Sequence, residues 1–328
     1  MNADVGALLM SSVVWDNHAC MPLRSQDVSF LPQLQRHRAA GFHAVMLNIG
    51  FADMSPEAHF EMVVSLRRWL SQRPHEYLLI RGTDDILAAR ESGRLAVGFD
   101  IEGANAIGDD LSRVGKFYEL GVRWMLLAYN RNNRVGGGCQ DVDQGLTDFG
   151  RELLAEMERV GMQVCLSHTG HRTAGDVLAE ARRPVIFSHS NPSALKAHPR
   201  NIPDELIRGC AATGGVVCIN GVGPFLGAND TTSATFARHV EYVARLVGPQ
   251  HVGIGLDYVY DIQELIDYIE TMRHTFPPDL GYDLVPSFVA PEQLTEIVGL
   301  LLEVGFSSTD LQGILGGNLL RVASEVWR

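Results

Sequence analysis

Eight short apolar runs recur along the chain, and stretches of helical character separate them. The runs span 8–15, 43–49, 95–101, 122–129, 163–167, 184–188, 214–220 and 251–257. Each run has the length of one buried strand. The intervening stretches, such as 56–72 and 233–247, mix charged residues with apolar ones at a spacing of three to four. Alternation of this kind predicts a parallel β-sheet with helical crossovers.

The number of units favours a closed sheet. Eight strand–helix units over about 250 residues suit a (β/α)₈ barrel of the TIM type. The alternative is an open doubly wound sheet, in which the ligand site gathers at one switch point. Polar side chains follow nearly every run here, and in a barrel all the strand ends open on one mouth. We therefore predict an α/β fold of the barrel type, with 77–86 as an extra or edge strand.

The whole chain, 1–328, is predicted to form a single domain. No low-complexity linker interrupts the apolar runs. After the last run, extra C-terminal helices are predicted at 261–275 and 291–303, on either side of a loop at 276–288 that contains Pro and Gly. We expect this loop to cover the barrel mouth, and the final helix to pack against the barrel wall.

Composition limits the partners and the compartment. A net charge of −12 argues against nucleic acid as the main partner, since phosphate binding needs positive charge. A small molecule is the natural partner, and an anionic one would need a local cationic anchor. The five cysteines lack CxxC spacing, which favours reduced thiols and a cytoplasmic protein. We expect no signal peptide and no membrane span. A homodimer is compatible with the sequence.

Imidazole and carboxylate side chains end five of the runs. They are His18, Glu102, His168, His189 and Asp257. A single histidine at a strand end is more often an ordinary hydrogen-bonded residue than a ligand. Several that converge on one mouth instead predict a metal site, because neutral imidazole and carboxylate are zinc ligands. Cys20 lies two residues after His18 on the same strand face, so both side chains could bind one ion.

Specific motifs give the chain a family resemblance over nearly its whole length. They are IEG at 101–103, LSH at 166–168, SHSNPSALKAHPRNIPDE at 188–205, GIGLD at 253–257 and ILGGNLLRV near the end. The chain resembles the membrane (renal) dipeptidase family of zinc metallopeptidases, which have a barrel fold and a two-metal site. The resemblance implies that His18, His168 and His189 bind metal and that Glu102 bridges two zinc ions. It also implies that Arg200 binds the substrate carboxylate and that Asp257 is the acid/base.

Three positions depart from the family pattern. The usual His-x-Asp is His18-Ala19-Cys20 here, and we interpret Cys20 as a metal ligand whose softer sulfur makes the first site the less certain of the two. Tyr129 stands where the family commonly has a substrate-contacting histidine; it could donate a hydrogen bond to an oxyanion or only line the barrel. Cys165 replaces an aspartate, and we expect it in the core.

The resemblance implies zinc-dependent hydrolysis of small dipeptides, including ones with a D-residue at the C-terminal position, by a hydroxide held between the two metals. Two alternatives stay open at this point. One is a metal-dependent amidase or lactonase that acts on a non-peptide substrate. The other is a metal-poor barrel that binds a small carboxylate ligand without turning it over.

Overall fold

A computed structural model describes residues 3–328 as a closed barrel surrounded by helices. In chain order the strands are β1 (Trp15–Cys20), β2 (Ala44–Phe51), β3 (Tyr77–Leu79), β4 (Leu95–Glu102), β5 (Val122–Leu126), β6 (Gln163–Cys165), β7 (Ile186–Phe187), β8 (Val216–Asn220), β9 (Val252–Gly255) and β10 (Tyr258–Val259). Eight of them close a parallel ring in the order β1-β2-β4-β5-β6-β7-β8-β9, and β9 pairs back to β1. The predicted (β/α)₈ barrel is confirmed.

The helices lie mostly between the strands. They are α1 (Ala3–Ser11), α2 (Gln35–Ala39), α3 (Pro56–Ser71), α4 (Thr83–Ser92), α5 (Ser112–Glu119), α6 (Asp148–Val160), α7 (His171–Glu180), α8 (Asp204–Ala212), α9 (Gly223–Leu226), α10 (Ser233–Val247), α11 (Ile262–Thr271), α12 (Leu294–Glu303), α13 (Ser308–Gln312) and α14 (Asn318–Val326). The predicted C-terminal helices are therefore present. Within 3–328, no helix has both the length and the apolar character that a bilayer crossing requires.

The prediction of a first strand at 8–15 was wrong. Residues 8–11 belong to helix α1, and strand β1 begins only at Trp15. Helix α1 buries Val5 and Leu8 in the outer core, which explains its apolar signal. Strand β1 reads WDNHAC and is almost wholly buried, but half of its side chains are polar, so hydrophobicity alone does not reveal it.

The segment predicted as an extra strand contains β3, which lies outside the ring. Tyr77–Leu79 pairs with the first half of β4, from Leu95 to Val97. Strand β5 pairs with the second half of β4, from Phe99 to Ile101. Strand β3 thus occupies the gap that opens between β4 and β5 at the bottom of the barrel, and it extends the sheet without adding to the ring.

The barrel interior divides into an apolar floor and a polar mouth. The floor includes Trp15, Met46 and Trp124, and helix α14 closes it from below with Leu319 and Val322. Towards the carboxyl ends of the strands the buried residues become polar. Along β4, Ala96 faces this floor, whereas Asp100 and Glu102 share its strand face nearer the mouth. In barrel enzymes the interior is a packed core and the active site lies at the carboxyl ends of the strands, so the polar mouth is the candidate site.

Candidate metal centre

Three imidazoles converge on one carboxylate oxygen at the mouth. His18 lies on β1 and Glu102 ends β4, while His168 and His189 follow β6 and β7; all four side chains are buried. The Nε2 atoms of His18, His168 and His189 lie 3.5, 3.3 and 3.2 Å from Glu102 Oε1. The Nε2 atoms of His168 and His189 are 3.0 Å apart. The structure thus brings these four predicted residues together.

Each imidazole is oriented by a hydrogen bond at its other nitrogen, Nδ1. The pairs are His18 with Asp100 Oδ2 (3.2 Å), His168 with Asn130 Oδ1 (2.7 Å) and His189 with Ser188 Oγ (2.8 Å). Metal-binding histidines typically have this arrangement, because the Nδ1 contact fixes the ring and directs the Nε2 lone pair at the ion. Asp100 is in turn held by Asn48 Nδ2 at 3.2 Å.

The protonation states of His168 and His189 and the unpaired oxygen of Glu102 favour binding of a cation at this centre. Burial lowers the pKa of His168 and of His189, so both rings are neutral near neutral pH. Burial also raises the pKa of Glu102, whose Oε1 is buried and has no hydrogen-bond partner among residues 3–328. A divalent ion would satisfy this carboxylate and the facing lone pairs together. The ligand atoms of Glu102, His168 and His189 lie within 4.8 Å of one another, and so do those of His18, His189 and Asp257.

Asp257 faces the same centre from the end of β9. Its Oδ1 lies 3.4 Å from His18 Nε2, and its Oδ2 accepts a hydrogen bond from Asn220 Nδ2 at 2.9 Å. The backbone at Asp257 is left-handed, with φ of 55°, and His168 and Asn130 share this conformation, with φ of 62° and 57°. Such strained backbone is uncommon outside glycine and persists where the surrounding structure enforces it, often at functional sites.

Cys20 lies beside His18 and Asp257. Its Sγ is 3.5 Å from both His18 Nε2 and Asp257 Oδ1. Burial raises the pKa of this thiol, whereas a bound metal ion would favour the thiolate. Next to Cys20 on β1, the pairing with β2 shifts register between Asp16 and Ala19. Irregularities of this kind often re-aim side chains next to active sites.

Arg200 is buried with most of its donors free. Its Nη2 donates to the carbonyl oxygen of His189 at 3.2 Å, and its guanidinium lies over the Phe225 ring at 5.3 Å. Its Nε and Nη1 have no partner among the described residues, although the side chain is only 2% exposed. A buried, incompletely paired cation beside the mouth is suited to binding an anion.

Tyr129 packs flat against a predicted metal ligand. Its ring stacks on His168, with centroids 4.0 Å apart and planes at 21°. It also contacts Phe51, at a centroid distance of 5.2 Å. Burial raises the pKa of Tyr129 well above the ordinary value, so its hydroxyl is neutral and can donate a hydrogen bond. Tyr129 therefore lines the pocket, and its ring also packs against the His168 imidazole.

One pocket opens over the metal centre, with about 910 Å³ of empty space, part of it open to solvent. Cys20, Glu102, His168 and Asp257 form its reactive end. The rest of the lining is mainly apolar, and a large share of it comes from helix α11 and from the loop at 276–288, which lies over the mouth as predicted. A mainly apolar pocket with a few polar groups at one end is typical of small-molecule sites.

The sequence interpretation missed several polar residues around the centre. Asn48, Asn130 and Asn220 hold Asp100, His168 and Asp257 respectively. Each follows or ends an apolar run, so strand-end asparagines were a usable signal. Cys165 is buried as expected, and its Sγ donates to Ser188 Oγ at 2.9 Å. Ser188 thereby connects this core cysteine to His189.

Comparisons with known proteins agree with this geometry. An uncharacterized dipeptidase from Schizosaccharomyces pombe is 33% identical over 207 residues, which cover 60% of this chain and about half (50%) of that relative's length. The structure of an amidohydrolase from Pseudomonas aeruginosa is 28% identical, with a TM-score of 0.87 over 98% of this chain and 99% of that one.

A more distant structure shares the fold. It is a metallo peptidase from Rhodobacter sphaeroides liganded with a phosphinate mimic of the dipeptide L-Ala-D-Ala, 20% identical, with a TM-score of 0.79 over 97% of this chain and 100% of that one. The family model described as membrane dipeptidase, peptidase family M19, matches residues 7–274. Because this match covers well over half of the residues of this chain, the chain belongs to the membrane dipeptidase family.

Proposed function

We propose that this protein is a zinc-dependent dipeptidase that hydrolyses the single amide bond of a small dipeptide. The observation that carries the proposal is the convergence of three oriented Nε2 atoms on the orphaned Oε1 of Glu102. Family membership supports the same reaction class. Zinc bound here would act as a Lewis acid, which acidifies water and polarises a carbonyl.

The chain's own residues divide the remaining work. His18, Cys20, Glu102, His168 and His189 would hold two zinc ions, with Glu102 shared between them. Asp257 would accept the proton of the attacking water and deliver it to the leaving amine. The hydrogen bond from Asn220 occupies Asp257 Oδ2 and leaves Oδ1 to face the centre.

Arg200 and Tyr129 would position the substrate. The free Nε and Nη1 donors of Arg200 suit a terminal carboxylate. A cation so close to the scissile bond restricts substrates to short peptides, because a longer C-terminal extension would displace the carboxylate from it. The neutral Tyr129 hydroxyl is available to donate to the developing oxyanion.

Hydrolysis is tested directly with purified, zinc-loaded protein and a broad panel of dipeptides, including members with a C-terminal D-residue. We expect release of free amino acids from part of the panel, and loss of that activity in His168→Ala. No cleavage of any dipeptide, with His168→Ala behaving like the wild type, would contradict the proposal. Cleavage of N-acyl amino acids but no dipeptide would instead identify an amidase.

Ligation by Cys20 is tested by spectroscopy on cobalt-substituted protein. We expect a near-ultraviolet charge-transfer band from a thiolate–cobalt bond in the wild type, and no such band in Cys20→Asp, which keeps a charged ligand. We also expect Cys20→Asp to hold about two ions per chain and Cys20→Ala to hold fewer. Cys210→Ser is the control, since its sulfur donates to the carbonyl oxygen of Val185 in the outer core and contacts none of the predicted ligands. A wild type without the band would remove Cys20 from the ligand set.

A further inference from the structure

A separate apolar cluster lies above the barrel mouth. It is built from Phe51 at the end of β2, Ile269 on α11 and Phe276 at the start of the loop 276–288. Leu265 and Tyr268 of α11 pack against it, and Tyr268 meets Phe51 edge-on with centroids 5.2 Å apart. We call these five residues (Phe51, Leu265, Tyr268, Ile269 and Phe276) the apolar wall. All five line the pocket.

The strand that ends at Phe51 and the strand that precedes Arg200 lie on opposite sides of the ring. Phe51 ends β2 and Arg200 follows β7, and these strands are four steps apart in either direction around the ring of eight. Strands so placed are on opposite sides of a barrel. A dipeptide whose carboxylate is held by Arg200, with its scissile bond at Glu102, therefore extends its N-terminal residue towards the apolar wall.

Charged side chains near the wall are already paired. Asp261 accepts a hydrogen bond from Arg24 Nη2 at 2.9 Å and caps the start of α11. Glu264 Oε2 accepts from the backbone N–H of Leu23 at 3.2 Å. Among the described residues, the side of the pocket formed by the apolar wall has no lysine or arginine in its lining. The wall thus offers no partner for an acidic side chain, and the two carboxylates add repulsion.

We propose that the apolar wall is the subsite for the N-terminal residue of the substrate and that it selects large apolar side chains. The inference rests on the proposed dipeptidase function and deepens it. A leucine- or phenylalanine-sized side chain would fill the space between Phe51 and α11, whereas glycine would leave it empty and aspartate would bury an unpaired charge.

The substrate series Phe-Ala, Leu-Ala, Gly-Ala, Lys-Ala and Asp-Ala tests this selectivity. We expect kcat/KM for Phe-Ala and Leu-Ala to exceed that for Gly-Ala by about 100-fold, because several methylene groups are gained in one pocket. Asp-Ala should be the poorest substrate. Equal rates on Gly-Ala and Leu-Ala, or a preference for Lys-Ala or Asp-Ala, would overturn the inference while leaving the dipeptidase function intact. If no dipeptide is cleaved, the proposed function fails first.

A variant pair assigns the selectivity to the wall. Leu265→Asp puts a charge into the wall, and Ile262→Asp puts the same charge on the exposed side of the same helix, outside the pocket lining. We expect Leu265→Asp to lower the ratio of kcat/KM for Leu-Ala over Gly-Ala by at least about tenfold, and Ile262→Asp to leave it unchanged. The ratio is insensitive to partial misfolding, which lowers both rates equally. An unchanged ratio in Leu265→Asp would overturn the assignment.

Discussion

Replacing Glu102 by glutamine is expected to abolish hydrolysis and to release most of the bound metal. The carboxylate is the point on which His18, His168 and His189 converge, and an amide cannot supply its charge. Loss of a residue that only orients a ligand typically costs 10–100-fold in metal affinity or activity. Glu102 is itself a predicted ligand, so we expect Glu102→Gln to lower kcat/KM by more than about 100-fold. Elemental analysis and steady-state kinetics on the same preparation provide the measurement.

Asp100→Asn is the comparison variant, in which we expect a smaller loss of metal binding than in Glu102→Gln. Asp100 contacts His18 only at Nδ1, so its loss should weaken metal binding without removing a ligand. Thermal unfolding supplies a second readout, because metal bound only to the native state stabilises it. Added zinc should raise the melting temperature of the wild type and of Asp100→Asn, but hardly that of Glu102→Gln. A zinc-dependent rise in Glu102→Gln equal to that of the wild type would contradict the bridging role.

Replacing Arg200 by methionine is expected to impair substrate binding while stabilising the fold. The guanidinium is buried, and two of its nitrogens lack partners among residues 3–328, so the substrate-free protein bears its desolvation cost. Methionine of similar length should raise the free energy of unfolding by about 1–3 kcal/mol. In turnover, loss of a charge-assisted contact to the substrate carboxylate should raise KM by about 100-fold. Denaturant unfolding and kinetics measure the two effects.

Two controls separate this role from a structural one. Arg123 is equally buried but donates to the carbonyl oxygens of Tyr118, Val122 and Arg81, so Arg123→Met should lower the free energy of unfolding. Dipeptide amides, which lack the carboxylate, should be poor substrates of the wild type, and Arg200→Met should lose most of the preference for free dipeptides. A preference that persists in Arg200→Met would place the carboxylate elsewhere.

Short-range patterns were sufficient for the barrel because seven of its eight strands are continuous apolar runs that end in turns. Strand β1 was misplaced because its buried residues include Asp16, Asn17 and His18, whose polarity is tolerated only through partners distant in the chain. Asp16, for example, pairs with His37 at 2.8 Å. Such a strand has no local signature, since its stability depends on contacts that form after the chain has folded.

The sequence alone predicted that His18, Glu102, His168 and His189 meet at the mouth, because strand ends and motif spacing indicate it, and the structure brings them together. Only the tertiary structure decided their surroundings. It placed Cys20 between His18 and Asp257, left Arg200 with free donors and gathered the residues of the apolar wall into one cluster. Strand ends follow from local periodicity, whereas the pocket is made by α11 and a loop. Their positions depend on packing between segments far apart in the chain.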